Sequence, residues 1–349
     1  MTEAKRSPRP TMKDVAAQVG VSIKTVSRVL NGEAGASPQT REAILRVAAD
    51  VGFRRNDLAR ALRSQGGQPA IGVVTNNLST RFFEGLISGI SEVAAAHEAL
   101  VLVTAAQSAE REESALAALS SRRLDGVIVM SSVSDLGFLR AEQAAGFPMV
   151  FVDSPATGIT ADAVLANNQA GAAAGVRHLI SHGHQRIAFV GSGGARYTVQ
   201  ERLAGYREAL QGNASMDENL IVLDCRTAER ARQAAEDMIA STSPPTAVFA
   251  ANSVCAIGVA RALRAAGLAH HVALVGFDDF DPADLLDPPL SVVAQNPVAI
   301  GRHAAEMLFA RIDGTDNPPQ TRILPVDLIK RGSGEICGPT SHESHRKAN

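Results

Sequence analysis

The chain lacks the marks of several large protein classes. Its 349 residues hold three cysteines, Cys225, Cys255 and Cys337. An odd number without metal-ligand spacing excludes a disulfide framework and is expected of a reducing, cytoplasmic setting. No apolar run approaches the roughly 18–20 residues of a membrane span. The opening MTEAKRSPRPT is polar and basic with no apolar core, so it reads as a disordered arm over 1–10 and not as a secretory signal. A G-x-S-x-G nucleophile elbow is absent. Gly191-Ser192-Gly193-Gly194 lacks both the full G-x-G-x-x-G spacing and an acid about 20 residues on, which leaves a dinucleotide site little support. His182-Gly183-His184 has no further ligands beside it and reads as a solvated turn. Without catalytic, cofactor or metal signatures, a binding protein is expected, and a sugar- or nucleotide-processing enzyme is the distant alternative.

What is present has the size of two or three domains and, with 45% apolar residues, enough material for a sizeable core. The net charge of −2 is unevenly spread: residues 1–66 carry twelve Lys/Arg against six Asp/Glu, leaving 22 against 30 for the rest. A small basic head on an acidic body points to a head that meets a polyanion.

Thr11-Met12-Lys13-Asp14 has the form of a helix capping box, with Asp in the usual Glu position. Val15, Ala16 and Val19 then share a helical face, and Gly20 supplies the turn that ends it. Ser22 caps a second helix, in which Val26, Val29 and Leu30 form the buried face. Lys24, Ser27, Arg28 and Asn31 fall opposite, with Ile23 on the flank. Ser37-Pro38 opens a third helix with Ile44, Val47, Ala48 and Val51 as its stripe, closed by Gly52. Two short helices under a third form a helix-turn-helix over 11–55, whose second helix lies in the DNA major groove. Lys24 and Arg28 suit guanine, and Ile23 suits a thymine methyl. From periodicity alone, an ordinary three-helix subdomain with a charged face fits equally well.

The segment DVAAQVGVSIKTVSRVLNG, with TREAILRVAADVGFRRNDLARALRS behind it, resembles the DNA-binding head of the lactose/galactose repressor (LacI/GalR) family. The resemblance implies that Ile23, Lys24 and Arg28 read bases, and it makes Thr11, Ser22, Thr25, Ser27, Asn31 and Arg60 further DNA-contact candidates. It also implies a hinge helix over 56–64, with Leu62 wedged into the minor groove. Nine residues are too few for a helix stable alone in water. The hinge would form only when two copies pair on DNA, and would melt when their bodies move apart.

After a linker over 65–69, apolar runs alternate with helical stretches. AIGVVT (70–75), ALVLVT (99–104), GVIVM (126–130) and PMVFVD (148–153) read as buried parallel strands, with helices near 81–96, 109–122 and 135–145 between them. RIAFV (186–190), IVLD (221–224), TAVFA (246–250) and VALVGF (272–277) continue the pattern. Two such sets predict two doubly wound lobes with a cleft beyond their strand ends. Polar and aromatic residues collect at those ends: Phe82, Phe83, Asp153, Arg202, Asn252, Asp278 and Gln295. Rings, carboxylates, amides and a guanidinium are what a polyhydroxylated ligand requires. Singly, each has a structural alternative, the two Phe as core and the two Asp as helix caps.

Residues 70–335 resemble the periplasmic-binding-protein-like core of the same repressors and of ribose-binding proteins. This implies exchanged strands, with an N-lobe of about 70–165 and 296–326, a C-lobe of about 166–295 and 327–335, and a polar tail over 336–349. It places the seven residues above in the ligand cleft. Arg196 and Thr198 fall on cleft positions of purine-responsive members, and Arg226 near a position where ribose and purine binders carry an aromatic. Ser253 and Ser154 replace an Asp and an Arg of related patterns. The expected fold is an all-α helix-turn-helix head with a hinge helix, and an α/β body of two doubly wound parallel-sheet lobes. The expected function is a homodimeric regulator, more narrowly a repressor, binding pseudopalindromic double-stranded DNA under control of a sugar or polyol. A corepressor, purine-like or a phosphorylated sugar, is the alternative. The tail has no leucine heptad, so a tetramerising coiled coil is not expected.

Overall fold

The computed structural model describes residues 12–30, 36–50 and 68–339, apart from 76, 77, 79, 107, 122, 123, 132, 134 and 213–215. The arm over 1–10, the hinge over 56–64 with Arg60 and Leu62, and also Thr11 and Asn31, lie outside the described residues. The chain divides into two compact units, Met1–Gly67 and Gln68–Asn349.

In the first unit, α1 (Met12–Val19), α2 (Ile23–Leu30) and α3 (Pro38–Asp50) surround one small core. Gly20, at φ 73°, makes the left-handed turn after α1, a conformation open to glycine without a Cβ clash. Ser22 then caps α2, its Oγ accepting from the Thr25 amide at 3.1 Å. Ser37 does the same for α3 through the Thr40 amide at 3.1 Å. Val15, Val26, Val29 and Ile44 are buried together, each contributing roughly 1.5–3 kcal/mol relative to exposure.

The second unit contains two six-stranded sheets. The first is built from β1 (Ala70–Thr75), β2 (Leu100–Ala105), β3 (Gly126–Val129), β4 (Met149–Val152), β5 (Asp162–Ala166) and β11 (Thr321–Leu324), in the order β11-β5-β4-β3-β1-β2. The second holds β6 (Ile187–Val190), β7 (Ile221–Val222), β8 (Ala247–Ala250), β9 (Ala273–Phe277), β10 (Ser291–Ala294) and β12 (Asp327–Ile329), in the order β12-β10-β9-β8-β6-β7. The chain therefore crosses between lobes three times: after β5, after β10 and between β11 and β12.

Helices cover the sheets: α4 (Arg81–Ala96), α5 (Ala109–Ser121), α6 (Arg140–Ala144) and α11 (Pro297–Ile312) on the first, and α7 (Asn168–Ser181), α8 (Tyr197–Leu210), α9 (Ala228–Ile239) and α10 (Ser253–Ala265) on the second. Five of their starts are capped by side chains: Thr80, Asn167, Thr227, Asn252 and Asn296 each accept a first-turn amide. The pair α4 and α11 packs backbone against backbone. A Cβ at Gly89 would lie 2.1 Å from the Val298 carbonyl oxygen, and one at Gly301 would lie 2.1 Å from that of Leu86.

Several expectations change. β2 is an edge strand, so its run is only half-buried. The sheets are parallel except that β12 runs antiparallel to β10. The helix expected over 135–145 is a 3-10 turn, Gly137–Leu139, followed by the five-residue α6. His184 is not solvated: it is fully buried. Its Nε2 faces the Ile336 carbonyl at 2.9 Å and its Nδ1 the Thr246 hydroxyl at 3.0 Å. Burial holds its imidazole below the usual histidine pKa. Among the described residues no group of acids, histidines and cysteines could hold a metal ion, and no helix is long and apolar enough to cross a membrane.

Candidate functional site

The C-terminal ends of the parallel strands of both lobes open onto one cleft of about 730 Å³, within the roughly 300–1,000 Å³ of small-molecule sites. Nine of the ten cleft candidates line it. Phe82 and Asp153 come from the first lobe. Arg196, Thr198, Arg202, Arg226, Asn252, Asp278 and Gln295 come from the second.

Phe83 does not join them. It is buried in the first lobe's core with Ile71, Leu86 and Ile90. Successive helical residues point about 100° apart, so Phe82 and Phe83 cannot share a face. The second ring at the cleft is instead Phe280, two residues past Asp278.

Arg202 organises the floor. It is 3% exposed, a position in which a guanidinium needs partners to offset lost hydration. Its Nε donates to Asn168 Oδ1 at 2.8 Å, and its Nη1 donates to the Ala251 carbonyl at 2.6 Å and to Asp278 Oδ2 at 3.3 Å. The guanidinium carbon sits 3.7 Å over the Phe277 ring. Gln295 continues the chain, its Nε2 donating to Asp278 Oδ1 at 2.6 Å. The other amide atom, Gln295 Oε1, is buried without a partner among the described residues. Sequence reasoning missed Asn168, because a polar residue beside the cap Asn167 looks like part of the turn.

Asp153 and Asp278 follow β4 and β9 directly, with φ of 69° and 70°. That left-handed conformation is uncommon outside glycine, though Asp tolerates it better than most residues. It places the two carboxylates directly after their strands, and neither caps a helix. Burial raises the Asp153 pKa above the ordinary carboxylate value; Arg202 and Arg196 draw it down, while Asp278 pushes it further up. Asn252 does serve as a cap: its Oδ1 accepts from the Cys255 amide at 2.9 Å and its Nδ2 donates to Ser192 Oγ at 2.7 Å.

The rim carries further charge. Asp279 accepts both terminal nitrogens of Arg331 at 2.8 Å, which holds its carboxyl below the usual range. Arg81 of the first lobe donates to Asp281 of the second at 2.5 Å, bridging the mouth of the cleft. Such an arrangement offers rings, fixed donors and fixed acceptors to a small molecule.

In the head, α2 presents Lys24 and Arg28 as exposed residues, and Ile23 is 49% exposed. Val26 and Val29 face inward. Ser22 and Thr25 bond to one another through their hydroxyls at 2.8 Å. The Ser27 side chain lies outside the described residues.

A helix-turn-helix head followed by a two-lobed body with a strand-end cleft defines the class of DNA-binding regulators that sense small molecules. Residues 11–56 match the model for bacterial regulatory proteins of the lacI family, and residues 176–334 that for a periplasmic binding protein-like domain. The regulator GalS of Salmonella typhimurium (strain LT2) is 32% identical over 333 residues, which cover 93% of this chain and 96% of GalS. A solved complex of the transcriptional regulator CelR with cellobiose is similar at 30% identity and TM-score 0.70, covering 93% of this chain and 100% of that one. The lac repressor dimer bound to operator and the anti-inducer ONPF is similar at 27% identity and TM-score 0.72, covering 94% of this chain and 99% of that one. The chain belongs to the lacI family of bacterial regulatory proteins.

Proposed function

We propose that the chain is a homodimeric repressor of transcription that acts in the cytoplasm, where DNA is, and whose hold on a pseudopalindromic operator is controlled by a sugar or polyol in the cleft. The observation that carries the cleft reading is the chain Arg202–Asp278–Gln295, which ends on an unpartnered buried acceptor, Gln295 Oε1. A buried acceptor left unpaired costs about 1–3 kcal/mol, and a ligand hydroxyl would satisfy it. Asp153 would accept a second hydroxyl, and Phe82 and Phe280 would meet the apolar face of the carbon skeleton. The cellobiose complex of CelR and the operator complex of the lac repressor dimer support the two halves of this reading. Lys24, Arg28 and Ile23 would read the operator, with Leu62 at its centre. The lobes would sense by binding, with no turnover of the ligand.

The presence of Arg196 and Thr198 in the cleft, positions shared with purine-responsive members, also fits a corepressor that tightens DNA binding. One experiment tests both. The purified chain is used to select fragments from genomic DNA, and the selected fragments are titrated with sugars, polyols and nucleobases. Enrichment of a pseudopalindrome, released by one ligand recovered unchanged, is expected; tightening by a nucleobase gives the corepressor reading. Arg28→Ala should cost roughly 1–3 kcal/mol and relax one position per half-site. Failure to enrich any sequence would overturn the DNA reading.

A further inference from the structure

We propose that the effector is a polyhydroxylated molecule bearing one anionic group, a carboxylate or a phosphate, and that Arg196 and Arg226 hold that group. The inference rests on the cleft being a carbohydrate-type site, as proposed above, and names the ligand class more narrowly.

Arg196 and Arg226 stand on neighbouring loops, one after β6 and one after β7. Backbone hydrogen bonds knit those loops together: the amides of Gly191 and Gly193 donate to the carbonyls of Val222 and Leu223 at 2.8 and 2.9 Å, and the Cys225 amide donates back to Gly191 at 3.1 Å. Ser192 and Asp224 form a further bridge. Both arginines therefore belong to one rigid ledge on the second lobe, and both line the cleft.

Among the described residues neither guanidinium forms a salt bridge, whereas the acids around them are already engaged. Asp224 binds Arg230 at 3.1 Å. Asp279 is held by both terminal nitrogens of Arg331. Asp278 is held by Arg202 and Gln295, and Asp281 by Arg81. Of the remaining cleft acids, Glu84 and Asp153 come from the opposite lobe. Asp153 feels Arg196 electrostatically from across the cleft but forms no hydrogen bond or ion pair with it among the described residues. The second-lobe ledge thus presents two uncommitted forks suited to bidentate contact with a planar or tetrahedral anion.

A second feature reinforces the ledge. Arg196 occupies the N-cap of α8 but makes no side-chain cap bond. The first amides of that 14-residue helix have no intrahelical acceptor, and they carry the positive end of its dipole. Thr198, in the same turn, adds a hydroxyl at the cleft. At the other end of the cleft, Asp278 and Gln295 would take the hydroxyls. The site then has an anionic end and a hydroxyl end.

The test uses the full chain and isothermal titration calorimetry with three matched sets: aldonates and uronates, sugar phosphates, and the neutral sugars and polyols of the same carbon skeletons. An acid or a phosphate is expected to bind at least tenfold more tightly than its neutral counterpart, and the two anionic sets distinguish carboxylate from phosphate. Arg226→Gln and Arg196→Gln should each erase that preference while leaving the unliganded melting temperature in place. Inorganic phosphate alone should bind far more weakly than the whole ligand; equal affinity would overturn the proposal in favour of a bare ion site. Tighter binding of a neutral sugar, unaffected by Arg226→Gln, would overturn the anionic class and leave the carbohydrate reading standing. Binding by none of the three sets would overturn the carbohydrate reading itself.

Discussion

At the residue scale, Asp153 and Asp278 are alike in backbone and unlike in surroundings. Both turn the chain through a left-handed conformation at a strand end, and strain of that kind costs on the order of 1–3 kcal/mol and concentrates at functional sites. Asp278 has Arg202 and Gln295 as partners. Asp153 has no such bonds among the described residues, and burial raises its pKa. A raised native pKa means that the folded state holds the proton more tightly than the unfolded chain does. The resulting stability is present below the unfolded value and lost as pH rises through the native one. Asp153→Asn should therefore raise the melting temperature of the unliganded protein at neutral pH. The same change should weaken the effector by about tenfold or more, since a charge-assisted hydrogen bond is lost. In the wild type, affinity should fall with decreasing pH from above the ordinary carboxylate range, and the variant should not show that fall. A variant that melts lower and binds normally would remove Asp153 from the site.

At the scale of elements, legibility followed burial. The strands β1, β3, β4, β8 and β9 are buried along their length, so they stand out as apolar runs bounded by turn residues. β11 and β12 are edge strands, TRIL mostly exposed and DLI half-buried, each carrying a charge, and nothing in their composition separates them from loops. β5, DAVLA, is buried, yet it opens on Asp162, whose carboxylate is tied to Arg311 on α11 at 2.7 and 3.1 Å. A strand that begins with a charge is legible only once its distant partner is known. The cleft was legible where it depended on strand ends and obscure where it depended on a helix face, as Phe82 and Phe83 show. The α4–α11 contact was equally hidden, because a glycine in sequence does not reveal which backbone it admits. Gly301→Ala would force its methyl onto the Leu86 carbonyl and should cost about 1–3 kcal/mol, as overpacking does. Urea unfolding would measure it, and a midpoint equal to that of the wild type would show that the helices can separate without penalty.

At the scale of the whole body, the two lobes meet across the cleft through Arg81 and Asp281, whose side chains are 53% and 88% exposed. Pairs so exposed are screened and contribute little. Asp281→Asn should lower effector affinity by about fivefold at most, and the difference should vanish in high salt. A loss well beyond tenfold, persisting in salt, would mean that Asp281 touches the ligand itself.

The three crossings between lobes also set an order of events during synthesis. About 130 residues separate β5 from α11, and nearly all of the second lobe is encoded in that interval. At roughly 5–20 residues per second, the ribosome needs on the order of ten seconds to traverse it. Throughout that time the first sheet lacks its β11 edge, and α4 has no helix to receive Leu86 and Ile90. The lobe whose synthesis starts first thus waits for nearly all of its neighbour to be made, and its nascent apolar face stays open for that interval.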